Sequence, residues 1–282
     1  MKDRSESFNR SFLIILAYGI GFGLGYITRL GNPKIFFSFY HSEQQIFANY
    51  GINLKDLLDL LFITPIFAII SFILLRRILE DSAFKEMSKK KINCFYYIYL
   101  IAIVFFAYGN MIHITMNRLN SDIADIYNTE AFYYSVYFLD EFWGHHLIEI
   151  GFFIIFTEFT FLHTFSLINN APETDQRTKL MSRNQKSWNA ILGIVFGIAT
   201  ALLYLEGQSA FLFLILNPIF CLILIIYNNK HNIPLKENSL LMLFLLMTIS
   251  FAITTIIWGI LTGIKPAYPF FYQNSEVDIF KL

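Results

Sequence analysis

The stretch AFLFLILNPIFCLILIIY, residues 210–227, carries no formal charge over its whole length. A run of this length and polarity fits a helix crossing the hydrocarbon of a bilayer. Such a helix needs about 20 apolar residues and satisfies its backbone polar groups internally. Six further stretches read the same way, at 11–28, 57–75, 94–115, 143–168, 188–205 and 240–264. The expected fold is therefore all-α, one domain over residues 1–282 with seven transmembrane helices in a multi-pass protein of the cell membrane. Pro65 and Pro218 fall inside the second and sixth stretches, where the missing N–H is expected to kink a helix.

Composition agrees. Of 282 residues, 56% are hydrophobic and 15% charged, and the mean hydropathy is +0.52. Soluble domains are about one-quarter charged, and no single core hides so much apolar surface. A soluble enzyme, a disordered chain and a disulfide scaffold are excluded together. Cys94 and Cys221 are the only cysteines and no CxxC spacing exists. A net charge of zero argues against a nucleic-acid partner; the partners expected are membrane lipids.

Basic residues in short connections set orientation. Lys2, Arg4 and Arg10 precede the first stretch, and Arg76, Arg77, Lys85, Lys89, Lys90 and Lys91 lie between the second and third. Arg177, Lys179, Arg183 and Lys186 follow the fourth, and Lys230 and Lys236 follow the sixth. The alternate connections are poorer: 121–130 is acidic and 206–209 has no base. The N-terminus is thus expected in the cytoplasm and the C-terminus outside. The first stretch reads as an uncleaved anchor, its Gly19, Gly21, Gly23 and Gly25 permitting close helix approach.

Ionisable groups inside spans are costly and mark functional sites. Here they cluster. Four of the six histidines lie on two consecutive helices, His113 on the third and His145, His146 and His163 on the fourth. Glu141, His145 and Glu149 recur every four residues and form one stripe, while Glu158 falls about opposite Glu149. Asn110, His113 and Asn117 share a face of the third helix. A short connection makes the two helices antiparallel neighbours, so their polar faces are expected to meet near the outer leaflet.

Imidazoles and carboxylates so placed suggest a metal centre. His113, His145, His146 and Glu149 are the expected ligands, with Asp140 and Glu141 orienting a ligand or acting as general base. Three protein ligands with a vacant position is the arrangement of catalytic zinc, and iron or copper also accept imidazole. Two other readings of the same residues stand beside it. Polar groups in spans also bridge helices by hydrogen bonds, or Glu149, Glu158 and His163 form a proton or ion pathway of a proton-coupled transporter.

The stretch Gly109-Asn110-Met111-Ile112-His113-Ile114-Thr115 resembles the Gly-Ser…His-Ala-Thr motif of the alkaline ceramidase and adiponectin receptor (CREST) superfamily, and Leu139-Asp140-Glu141 resembles its later Leu-Asp-Glu. The resemblance implies a seven-helix, zinc-dependent membrane hydrolase, with His113 a zinc ligand and Asp140 its acidic partner. It covers about a tenth of the chain. Asn110 stands where the family has serine, and 240–264 contains no histidine in place of the family's paired ligands. His145 and His146 would take their role. A retinal protein is excluded, since 240–264 holds no lysine, whereas His113 with His145 or His146 leaves a haem-binding redox protein open. The expected activity is metal-dependent hydrolysis of a lipid or another apolar substrate.

Overall fold

The computed structural model describes residues 34–41, 46–53, 58, 61–62, 64–127, 131–169 and 183–265. A two-stranded antiparallel hairpin comes first, β1 (Lys34–His41) and β2 (Ile46–Asn53), paired from Lys34↔Asn53 to His41↔Ile46. The helices follow: α1 (Thr64–Leu79), α2 (Lys89–Tyr127), α3 (Ala131–Phe138), α4 (His145–Asn169), α5 (Arg183–Glu206), α6 (Ala210–Lys230) and α7 (Ser239–Thr262). A π-helical turn, Leu139–Gly144, joins α3 to α4 without a break. The hairpin occupies a segment for which the sequence suggested no regular structure, so the described residues are helical with one small β element added.

Among the described residues, five helical segments are long and apolar enough to cross a membrane: Lys89–Asn120, Ala131–Asn169, Lys186–Glu206, Ala210–Lys230 and Ser239–Thr262. They correspond to the third through seventh stretches expected from hydropathy. The second appears as α1, whose 16 residues measure about 24 Å, short of the ~30 Å hydrocarbon. Pro65 sits in the first turn of α1, where its missing N–H costs nothing. Pro218 is inside α6 as expected. The first stretch and its four glycines lie outside the described residues.

Large apolar side chains face outward along the helices, among them Leu222 and Ile226 on α6 and Ile253, Ile256 and Ile260 on α7, each more than half exposed. In water such a surface would be an aggregation site; against acyl chains it is solvated. Inside, Leu75, Ala102, Phe159, Leu162, Phe213 and Phe244 are fully covered. The central helix is α4, which packs on α1, α2, α6 and α7.

Small residues determine which helices touch. A methyl added at Gly109 of α2 would stand 2.5 Å from the Ile148 backbone nitrogen, and one at Gly151 of α4 would stand 2.5 Å from the Ala102 carbonyl. Gly144 faces the His113 backbone at 3.0 Å on the same measure. Ala102 and Gly109, like Gly144 and Gly151, are seven residues apart. They therefore form one small-residue seam per helix, along which two antiparallel backbones meet. On α5, Gly193 and Gly197 do the same against α7. Without a hydrophobic drive between helices in lipid, such close van der Waals packing is a main source of association.

At the end of the bundle holding the α1–α2 and α6–α7 connections, a buried polar network ties α4 to α7. Asn238 caps α7 by accepting from the Leu241 N–H at 3.2 Å. Its amide donates to Thr164 Oγ1 at 2.9 Å and Asn228 Oδ1 at 3.0 Å. His163 Nε2 and Ser239 Oγ share a hydrogen bond of 3.2 Å, so His163 bridges helices at this end. Lys186 donates to Glu237 at 2.5 Å.

Candidate metal centre

The opposite end, with the α2–α3 and α5–α6 connections, brings together His113, Asp140 and His145. One donor atom from each lies within 4.8 Å of the other two. His113 Nδ1 is 2.6 Å from Asp140 Oδ1, and the His113 and His145 ring centroids are 4.3 Å apart at 61°. Asp140 is 2% exposed; the two imidazoles keep 17% and 14% of their side-chain surface. Two imidazoles and one buried carboxylate, open on one side, form a donor set suited to a borderline divalent ion such as zinc.

The π-turn explains how Asp140 joins. Around an α-helix, residues five apart point about 140° away from each other. In a π-turn the hydrogen bonds run from i to i+5, so such residues nearly overlie. The His145 N–H reaches back to the Asp140 carbonyl, and the two side chains share a face. The second condition is Gly144. Lacking a Cβ, it lets the α2 backbone at His113 close onto the turn.

Of the four expected ligands, the structure gathers two. His113 and His145 converge, joined by Asp140, which the sequence suggested as an orienting or catalytic acid. His146 points elsewhere: its ring stacks on Phe142 at 4.3 Å and its Nδ1 is buried without a hydrogen-bond partner. Glu149 is also outside the cluster, 5% exposed and accepting a hydrogen bond from Ser209 Oγ. The Glu141–His145 step of the stripe keeps its neighbours together, with Glu141 Oε2 4.0 Å from His145 Nε2. Asn110 donates to the Phe106 carbonyl of its own helix at 3.0 Å and takes no part.

The α5–α6 turn is a further component. A methyl at Gly207 would lie 2.6 Å from Glu149 Oε1 and 2.7 Å from His145 Cβ, so this turn rests directly on the second imidazole. Ser209 secures it through Glu149, and Gln208 between them adopts φ 58° with its amide buried and unpartnered. Sequence reasoning saw 206–209 only as a connection without bases. The Gly-Gln-Ser composition marks a turn, but nothing local says which helix it will meet.

The haem reading loses the His113–His145 pair. Axial imidazoles need two metal–nitrogen bonds of about 2 Å each, with both rings beyond them. Rings 4.3 Å apart at an edge-on angle cannot sandwich a porphyrin. Comparison with protein-family models, curated proteins and solved structures finds no match.

Proposed function

We propose that this chain is a multi-spanning membrane hydrolase built around one divalent metal ion, of the zinc class, held by His113, Asp140 and His145. The observation that carries this reading is the convergence of those three donors from two helices. A zinc ion in a three-ligand site lowers the pKa of its bound water toward neutrality and polarises a carbonyl oxygen. Glu141, whose carboxylate lies 4.0 Å from His145, would act as general base beside a bound ion. The site opens among apolar helices at one end of the bundle, so its substrate is a lipid or another apolar molecule. With the basic connections on the cytoplasmic side, this end faces outward.

Metal analysis of protein purified in detergent tests the reading, with about one zinc per chain expected for a catalytic site. His113→Ala and His145→Ala are expected to lose the metal at an unchanged folded yield. His146→Ala is expected to keep it, since that ring stands outside the cluster. Wild-type metal content in both of the first two variants overturns the site.

A further inference from the structure

A small cavity of about 10 Å³ lies where α4, α5, α6 and α7 meet. Phe152 and Phe156 of α4 and Met247 of α7 give it apolar walls. Thr200 and Tyr204 of α5 and Asn217 of α6 line its polar side, and these three are 3%, 6% and 3% exposed. Phe152 is seven residues from His145, so the cavity sits about 10 Å along α4 from the metal centre. Among the described residues, no charged side chain lines it.

The hydrogen-bonding groups on the polar side do not satisfy one another. Thr200 Oγ1 donates its one proton to the Phe196 carbonyl at 2.8 Å, which leaves it lone pairs to spare. The Tyr204 ring packs on Phe213 and Phe251, with centroids 4.5 and 5.6 Å away. Its hydroxyl has no hydrogen-bond partner among the described residues, and neither has the Asn217 amide. Next to Asn217, Pro218 takes one N–H out of the α6 ladder, a defect that side chains and ordered waters repair in membrane helices. Buried polar groups without partners are costly, and here two of them face one cavity.

Size and chemistry select the occupant. A cavity of about 10–15 Å³ on this measure holds one water, provided two to four polar groups reach it, whereas cavities that stay dry are apolar throughout. An acyl chain needs more room, and an ion would have no countercharge. We propose that this cavity binds one internal water molecule, with Tyr204 and Asn217 as donors and Thr200 as acceptor. The water ties α5 to α6 in the middle of the bundle. The site uses none of the metal-binding residues and stands or falls apart from them.

Two measurements on the full chain in lipid nanodiscs test it. An electron-microscopy map that resolves waters is expected to show one compact peak about 3 Å from both the Tyr204 hydroxyl and the Asn217 amide, lost in Asn217→Leu. No peak overturns the proposal, and elongated density overturns it in favour of a lipid or detergent tail. Thermal midpoints of Tyr204→Phe, Asn217→Leu and the double variant form a cycle. Each single change is expected to lower the midpoint, and the double change by less than their sum, because the first already loses the water. Additive shifts overturn the shared water. Should Asn217→Leu fail to fold, Thr200→Val takes its place in both measurements, with the same outcomes.

Discussion

Ser209 and Glu149 form a contact between the α5–α6 turn and α4 at a buried position. Removing the hydroxyl leaves a buried carboxyl without its donor, a change that costs about 1–3 kcal/mol. Ser209→Ala is therefore expected to lower the thermal midpoint in detergent while zinc content stays at the wild-type level, because Glu149 is outside the donor cluster. A variant as stable as wild type would show that the contact carries no energy. At this scale the histidines were legible in the chain, since imidazoles inside apolar runs are conspicuous. The part each plays was not. Whether His146 or Asp140 completes the cluster depends on how the backbone winds between them.

That winding belongs to the elements. Spacing arguments assume 3.6 residues per turn throughout, and across Leu139–Gly144 the assumption fails. Downstream of the turn the α-helical spacing carries His145 and Glu149 one turn apart as expected, and Glu141, inside the turn, still comes within 4.0 Å of His145. Upstream, one extra residue rotates Asp140 by about 100° onto the same face as His145. Deleting Trp143, which is 47% exposed, returns the segment to α-helical winding. The deletion is expected to abolish zinc binding while the protein still elutes as one folded species. Retained zinc would mean that Asp140 is dispensable. The seams of α2 and α4 were equally present as glycine and alanine seven residues apart, but a periodicity of small residues is weak until the partner helix is known.

For the whole molecule, hydropathy carried most of the information. Stretches such as 210–227 are apolar on every side and read alike in any arrangement, so the five spans among the described residues follow from length and composition alone. The hairpin did not. KIFFSFYH is rich in aromatic residues that favour strands, yet beside long apolar helices it passes for an interfacial segment. Topology is the prediction at this scale. In a Cys94→Ser background, an impermeant maleimide is expected to label Asn117→Cys on intact cells and Ser88→Cys only after lysis. Both positions are exposed. The reverse pattern inverts the chain in the membrane and puts the His113–Asp140–His145 cluster on the cytoplasmic side.

The backbone-to-backbone seam between α2 and α4 has a mechanical consequence. Where no side chain separates two helices, no cushion remains to compress, so they travel as a single beam. His113 rides on one half of that beam, Asp140 and His145 on the other. A bilayer that thins or thickens around the protein can tilt the beam, yet it has little leverage to change the spacing of the three donors. Adjustment falls instead to the α5–α7 pair, whose grip on the beam at the metal end runs through the turn resting on His145.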